Sequence, residues 1–164
     1  MPLQKIRIAI ADDHQICRDG LISMLDPEFY EIVGEAENGE KALEIIRCQK
    51  PDVVLLDLRM PVMDGYTMLR ILKDDDMMKQ IPVVAITASV DVQEKNKLEF
   101  SGFDGVLFKP IPQIDLVYEL CRFLDSRELK VKSSDVIKDD KEKVAINTTT
   151  HLQELLQELE DDFL

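Results

Sequence analysis

The sequence is short of positive charge. Its 20 lysine and arginine residues stand against 33 aspartate and glutamate residues, which gives a formal net charge of −13 at pH 7. Affinity for nucleic-acid phosphates comes from clustered basic side chains, so this balance argues against nucleic-acid binding by the chain alone. We therefore expect protein and cation partners.

Long apolar runs are also lacking. No run approaches the roughly 18 residues needed to cross a bilayer, and residues 1–7 lack the apolar stretch of a signal peptide. We therefore expect no membrane insertion and a cytoplasmic location. Cysteine is scarce as well: Cys17, Cys48 and Cys121 are odd in number and widely spaced, which indicates neither a disulfide framework nor a Cys-x-x-Cys metal site. All three are expected to stay reduced.

Short apolar runs alternate with helical patterns through residues 1–125, which we interpret as one domain. Such an alternation predicts an α/β fold with a parallel sheet covered by helices on both faces. The predicted strands are Ile6 to Ile10, Tyr30 to Ala36, Val53 to Leu56, Pro82 to Ile86 and Val106 to Phe108. The predicted helices are Ile16 to Leu25, Gly39 to Cys48, Tyr66 to Lys73, Asp91 to Phe100 and Ile114 to Leu124.

The composition changes after residue 125. Residues 126–149 are polar and aperiodic, which is typical of a flexible linker. Residues 150–164 combine a leucine stripe at helical spacing with acidic residues, which predicts an acidic amphipathic helix. Such a helix is too short to be stable alone, so we expect it to dock on its own domain, on a second copy or on a partner. A disordered tail is the alternative.

Polar residues stand at the carboxyl ends of four of the five predicted strands. Asp12 and Asp13 follow the first strand, Asp57 the third, Thr87 the fourth and Lys109 the fifth. The carboxyl ends of parallel strands lie along one edge of the sheet, where ligands bind in such folds. These side chains are therefore expected to converge. The second strand ends without a comparable group, as expected for a strand at the edge of the sheet.

The residue types at this edge point to phosphoryl chemistry. Three aspartates brought together would raise one another's proton affinity unless a divalent cation lay among them, and oxygen ligands suit Mg²⁺. Asp57 would serve as a carboxylate nucleophile toward phosphorus. Lys109 would neutralise phosphoryl charge, and the Thr87 hydroxyl would donate a hydrogen bond to a phosphoryl oxygen.

Four segments resemble the receiver domain of two-component response regulators. They are 8–14, 54–65, 81–88 and 102–110, and the likeness covers about residues 5–125. The resemblance implies a CheY-like, flavodoxin-like fold, which is a doubly wound five-stranded parallel sheet of order 2-1-3-4-5 with five helices. In this chain the predicted tail helix would be added to it.

The resemblance also implies the roles of the acidic residues. Asp57 would accept a phosphoryl group from phosphohistidine on a histidine kinase or a histidine phosphotransfer protein. Asp13, Asp57 and the backbone carbonyl of Arg59 would bind Mg²⁺, and Asp12 would act mainly through a bound water. We further hypothesise that the Arg59 side chain leans over the phosphoryl group and tunes its lifetime. A solvated surface arginine is the alternative.

The remaining implied roles concern the switch. Thr87, Ala88 and Lys109 would contact the phosphoryl group, and the peptide bond before Pro110 would be cis. Movement of Thr87 toward the new charge would reshape the surface of helix four, strand five and helix five. Many receivers carry an aromatic residue three positions before the lysine. Here that position is Val106, so an aromatic rotamer switch is not available there.

These features predict a phosphorylation-dependent signalling protein of a two-component or phosphorelay system that acts on a downstream protein target. We expect no enzyme activity beyond its own phosphorylation and dephosphorylation. Helix five has a second apolar stripe, so a homodimer through that helix or the C-terminal helix stays open. The tail has neither the length nor the charge of a helix-turn-helix domain.

Two other functions stay open. One is a receiver-like module that binds partners without phosphorylation. The other is an aspartyl-phosphate phosphatase of the haloacid-dehalogenase type, which would require Asp-x-Asp where this chain has Asp57-Leu-Arg59.

Overall fold

The structure is a computed structural model that describes residues 5–88 and 92–132, without the side chains of 92, 94, 95 and 124–132. The chain divides into two units between Leu124 and Asp125. The strands are β1 (Ile6–Ala11), β2 (Tyr30–Ala36), β3 (Val53–Asp57), β4 (Val83–Thr87) and β5 (Gly105–Phe108). The helices are α1 (Gln15–Ser23), α2 (Gly39–Gln49), α3 (Gly65–Asp74), α4 (Val92–Phe100) and α5 (Gln113–Lys132).

The five strands form one sheet in the order β2-β1-β3-β4-β5, and every neighbouring pair is parallel. This confirms the predicted fold class and strand order. It also places β2 at an edge, as its lack of a polar terminal group indicated. Strands β1, β3 and β4 are therefore adjacent in the middle of the sheet, and their carboxyl ends lie next to one another.

The core lies on both faces of the sheet because successive strand residues point to opposite sides. In β3, Val54 and Leu56 pack with α2 and α3, whereas Val53 and Leu55 pack with α1 and α5. All four side chains are fully buried. A strand buried on both faces needs apolar residues at every position, which explains the continuous run before Asp57.

A smaller cluster joins α4 to the sheet. Its buried members are Leu58, Ala85 and Leu98, and Tyr66, Phe103 and Val106 pack against it. The Tyr66 and Phe103 rings meet edge to face with centroids 5.8 Å apart, and Lys97 Nζ lies 3.7 Å from the Tyr66 ring centroid. Val106 is thus a partly buried packing residue beside an aromatic pair contributed by other segments.

Helix α5 is longer than predicted. It continues to Lys132, so the expected end at Leu124 is wrong and residues 126–132 of the predicted linker are helical. Arginine, glutamate, leucine and lysine are good helix formers, so a loss of apolar periodicity does not by itself end a helix. The rest of the predicted linker and the predicted helix over 150–164 lie outside the described residues.

The two apolar stripes predicted for α5 have different environments. Leu116 and Leu120 are fully buried in the core, and Phe123 packs against it. In the other stripe Val117 is buried, but Ile114 is exposed. Within the described ranges, no helix is both long and apolar enough to cross a membrane.

Candidate functional site

Three carboxylates meet at the carboxyl edge of the sheet. Asp12 and Asp13 follow β1, and Asp57 is the last residue of β3, which pairs with β1. One carboxylate oxygen from each of the three lies within 4.8 Å of the others. Asp12 is completely buried, Asp57 is 7% exposed and Asp13 is partly exposed. The three carboxylates therefore converge, as expected from the strand ends.

Lys109 brings a positive charge to this cluster from the end of β5. Its Nζ donates a 2.8 Å hydrogen bond to Asp12 Oδ2 and lies 3.6 Å from Asp57 Oδ1. The backbone holds the lysine in place, because its amide donates a 2.8 Å hydrogen bond to the Thr87 carbonyl. The following Lys109–Pro110 bond is cis, as the resemblance implied.

The ionisation of these groups reflects a shortage of positive charge. Burial raises the pKa of Asp57; Lys109 opposes this, while Asp12 and Asp13 raise it further, and the net pKa is raised. Burial alone would lower the pKa of Lys109, but the hydrogen bond to Asp12 and the charge of Asp57 outweigh it, so that pKa is also raised. The single positive charge of Lys109 therefore does not offset the negative charges of the three carboxylates.

The donor set fits a hard divalent cation. Asp13 Oδ1 is buried and, among the described residues, has no hydrogen-bond partner. The Nδ1 atom of His14 lies 2.8 Å away, but not in hydrogen-bond geometry. An unsatisfied buried carboxylate oxygen beside two further carboxylates is the oxygen-rich environment that Mg²⁺ prefers.

Arg18 on α1 supports the cluster and was not among the residues predicted for the site. It is 9% exposed, and its Nη1 donates a 2.7 Å hydrogen bond to the Asp12 carbonyl. Its Nε donates to Glu35 on β2 at 3.0 Å, and a third bond reaches Gln15. The sequence signal for it is its position three residues before the buried Leu21, which places an arginine on the buried side of α1.

For the other predicted site residues, the structure gives the position in the chain and the exposure. Thr87 is the last residue of β4 and is buried, and Ala88 follows it and is exposed. Arg59 lies two residues beyond β3 and is exposed. The adjacent pairing of Asp57 with Ile86 brings the end of β4 beside the phosphoacceptor candidate. The proposed roles of Thr87, Ala88 and Arg59 remain predictions.

A glycine allows the loop after β3 to fold tightly behind the site. Gly65 donates a 3.0 Å hydrogen bond to the Leu58 carbonyl. A Cβ atom at this position would lie 2.7 Å from the Asp57 carbonyl oxygen and 2.9 Å from Leu58 Cα. Because both neighbours are backbone atoms, only glycine fits this approach. Helix α3 starts here, and the Asp64 side chain caps it by accepting from Thr67 N at 2.7 Å.

An open groove lies on the outer side of β5 and α5. It has a volume of about 390 Å³ and is lined by Val106, Leu107, Phe108, Pro110, Pro112, Asp115, Tyr118 and Glu119. Phe108 and Tyr118 are exposed, at 37% and 68%. Since Pro110 directly follows Lys109, the groove adjoins the segment that carries the lysine into the acidic cluster.

Comparison with known proteins agrees with this geometry. The response regulator receiver domain family matches residues 8–120. The response regulator PleD of Caulobacter vibrioides is 40% identical over 120 residues, which are 71% of this chain and 26% of PleD. The chain thus spans about a quarter of the length of that relative.

This chain covers a larger share of two further similar proteins. The polar-differentiation response regulator DivK of Brucella anthropi is 29% identical over 104 residues, which are 63% of this chain and 84% of DivK. The solved structure of the REC domain of AraT, a response regulator from Geobacillus stearothermophilus, superposes with a TM-score of 0.70 at 28% identity. That match covers 79% of this chain and all of the AraT domain.

Proposed function

Because the chain belongs to the response regulator receiver domain family and so serves phosphorylation-dependent signalling, we propose that Asp57 is the residue that accepts the phosphoryl group. One observation carries this proposal. Asp57 is a nearly buried carboxylate whose oxygen faces Lys109 at 3.6 Å and lies beside two further carboxylates. An oxygen of this carboxylate would attack phosphorus while the Lys109 ammonium faces the incoming negative charge.

We propose that Asp13, Asp57 and the Arg59 backbone carbonyl hold a Mg²⁺ ion, with Asp12 acting through water. When bound, the ion supplies the positive charge that offsets the approaching phosphoryl oxygens. The unsatisfied Oδ1 of Asp13 supports this assignment. Asp12 keeps its own hydrogen bond to Lys109 and so orients the ammonium group toward Asp57.

The proposed donor is phosphohistidine on a histidine kinase or a histidine phosphotransfer protein. In the transfer, a bond forms between an Asp57 oxygen and phosphorus, and the phosphorus–nitrogen bond breaks. Its electron pair stays on the imidazole nitrogen of the donor, which then takes up a proton. The chain's contribution is positioning and charge, which dominate phosphoryl transfer.

The proposed output is a change at the surface that binds a downstream protein. Thr87 and Ala88 at the end of β4, together with Lys109, would follow the new charge. The displacement would reach the groove of β5 and α5, where Phe108 and Tyr118 are exposed. Backbone amide NMR signals of 106–108 should shift after phosphorylation and stay unchanged in Asp57→Asn. Self-association of the chain through α5 is the alternative use of this surface.

Intact mass measurement tests the phosphorylation site. The full chain is incubated with Mg²⁺ and phosphoramidate, a small donor that shares the phosphorus–nitrogen bond of phosphohistidine. We expect one added phosphoryl group in the wild type and none in Asp57→Asn. Asp74→Asn changes an exposed aspartate and should still accept the group. Addition to Asp57→Asn, or none to the wild type, would contradict the proposal.

Decay of the adduct tests Arg59. If its exposed side chain governs water access, Arg59→Ala changes the dephosphorylation rate by more than about twofold, which corresponds to about 0.4 kcal/mol in the barrier. Arg70→Ala, an exposed arginine on α3, is the matched control and should leave the rate unchanged. Equal decay of the Arg59 variant and the wild type would leave Arg59 as a surface residue.

A further inference from the structure

A second set of metal-binding atoms lies against the acidic cluster. One ligand atom each from Asp12, His14 and Cys17 lies within 4.8 Å of the others. From the sequence, Cys17 was expected only to stay reduced. The fold brings His14 and Cys17 to the carboxylate that Lys109 contacts.

The start of α1 explains why these side chains meet. His14 occupies the N-cap position, and the Cys17 amide donates a 3.1 Å hydrogen bond to its carbonyl. Residues three apart in the first turn lie on the same side of a helix. Within the part of the chain that the structure describes, the His14 side chain makes no capping hydrogen bond to α1. Its imidazole is therefore not committed to stabilising the helix end.

The distance between His14 and Asp12, unlike the shorter one between His14 and Asp13, suits a small first-row metal ion. His14 Nδ1 lies 3.5 Å from Asp12 Oδ1 and 2.8 Å from Asp13 Oδ1. Two ligands at zinc–nitrogen and zinc–oxygen bond lengths in a tetrahedral shell are about 3.3–3.4 Å apart. Asp13 Oδ1 is also the buried oxygen with no hydrogen-bond partner among the described residues. That oxygen belongs to the Asp12, Asp13 and Asp57 set and lies outside the Asp12, His14 and Cys17 set.

The donor types select the metal. Carboxylate oxygen, imidazole nitrogen and thiolate sulfur together match Zn²⁺ and similar transition-metal ions, whereas Mg²⁺ takes oxygen ligands. The Asp12, His14 and Cys17 set therefore differs in chemistry from the Asp12, Asp13 and Asp57 set. The two sets share Asp12.

We propose that Asp12, His14 and Cys17 form a binding site for Zn²⁺ or a similar transition-metal dication. Binding would release the Cys17 thiol proton to solvent and use a neutral imidazole. Lys109 Nζ, which lies 2.8 Å from Asp12 Oδ2 and 3.8 Å from Cys17 Sγ, would be displaced by the ion. A second consequence, which rests on the proposed function, is that the metal inhibits phosphorylation of Asp57.

Cobalt absorption tests the site without reference to phosphorylation. The full chain, kept reduced, is titrated with Co²⁺, which takes the place of Zn²⁺ and gives a thiolate-to-metal charge-transfer band. We expect a band that saturates at one equivalent and is bleached by Zn²⁺. Cys17→Ser should abolish the band, and His14→Gln should weaken Co²⁺ binding by more than about tenfold.

Matched variants distinguish this site from other ligands in the chain. Cys48→Ser and Cys121→Ser change the two other cysteines, and His151→Gln changes the only other histidine. All three should keep the band, and so should Asp57→Asn, whose carboxylate is outside the set. Absence of a band in the wild type, or a band that persists in Cys17→Ser, would overturn the proposal. So would loss of the band in His151→Gln.

Phosphorylation tests the consequence. With Mg²⁺ in excess and one equivalent of Zn²⁺, the extent of phosphorylation of the wild type should fall at least severalfold. The ratio of the two extents, with and without Zn²⁺, should stay near one in Cys17→Ser. If the wild type binds Co²⁺ but accepts no phosphoryl group even without Zn²⁺, the proposed function fails and the metal site stands. If phosphorylation occurs and Zn²⁺ leaves it unchanged, the inhibitory role is wrong.

Discussion

The ammonium group of Lys109 donates a 2.8 Å hydrogen bond to Asp12, 97 residues earlier in the chain. Asp12 is completely buried, so this contact supplies the charge that a buried carboxylate requires. The same nitrogen lies 3.6 Å from Asp57. Lys109 therefore links the ends of β1, β3 and β5, and its replacement should affect both stability and the site.

We expect Lys109→Met to lower the free energy of unfolding by about 2 kcal/mol in the presence of a chelator. Breaking a buried pair leaves an uncompensated carboxylate, and the partial exposure of Lys109 reduces that cost. Excess Mg²⁺ should restore part of the loss by replacing the missing charge. Urea denaturation with and without Mg²⁺ measures both effects.

Lys79→Met is the matched control. Lys79 pairs with Asp76 at the surface, where both side chains are well exposed, so its loss should cost less than about 0.5 kcal/mol. Equal losses in the two lysine variants would show that Asp12 does not depend on Lys109.

Asp57→Asn should stabilise the folded protein when divalent cations are absent. Burial, followed by the charges of Asp12 and Asp13, raises the pKa of Asp57 above its ordinary value of 3.8 despite Lys109. A raised folded pKa means that protonated Asp57 contributes stability that is fully present below pH 3.8 and is lost as the pH rises through the folded pKa. The asparagine variant avoids this loss.

Denaturation in chelator at several pH values measures the difference. The stability advantage of Asp57→Asn should be absent in acid and should grow as the pH rises toward neutrality. Addition of Mg²⁺ should stabilise the wild type more than the variant and so reduce or reverse the advantage. If the wild type were more stable than the variant in chelator at neutral pH, the ionised Asp57 carboxylate would not destabilise the fold.

Gly65→Ala should destabilise the protein by about 1–3 kcal/mol, because a Cβ atom there would overlap backbone atoms of Asp57 and Leu58. Gly20→Ala is the matched substitution. Gly20 lies inside α1 with nothing within 4 Å of its added Cβ, so the higher helix propensity of alanine should stabilise by about 0.5–1 kcal/mol. Thermal unfolding of the two variants should give shifts of opposite sign.

Asp64→Ala should lower the free energy of unfolding by about 1 kcal/mol through loss of the α3 cap. The hydrogen bond from the Thr67 amide lowers the pKa of Asp64, so its carboxylate stabilises the fold above 3.8 and loses this effect as the pH falls through the folded pKa. Asp64→Asn keeps a capping oxygen and should lose less.

Comparison of Asp64→Ala with the wild type across pH checks this explanation. The difference in stability should shrink in acid, while Asp64→Asn should approach the wild type there. A difference between Asp64→Ala and wild type that stays constant down to the most acidic pH would mean that the carboxylate charge plays no part in the cap.

Much of the fold followed from local patterns. The alternation of continuous apolar runs and helical stripes predicted five strands and five helices, and the polar residues at the strand ends predicted the cluster around Asp57. These signals are readable because burial on both faces of a sheet requires apolar residues at every strand position. The strand order came from the resemblance to a known family and not from the patterns themselves.

Boundaries and supporting contacts were harder to predict. The end of α5 was placed too early because composition, and not a capping signal, marked the expected boundary. Arg18 was not singled out, since its role depends on a carbonyl at Asp12 and a carboxylate on β2 that only the folded chain brings near. Cys17 was expected only to stay reduced, because its approach to Asp12 also depends on the fold.

By itself, the sequence determined which residues could carry the chemistry, because aspartate, threonine and lysine at strand ends are local features that packing periodicity makes visible. Only the tertiary structure decided how they are paired. Lys109 meets Asp12 and not Asp57 most closely, Asp13 keeps an unsatisfied oxygen, and His14 and Cys17 face the same carboxylate. These outcomes depend on distances of a few ångströms between distant segments, which burial and charge balance set only once the sheet has formed.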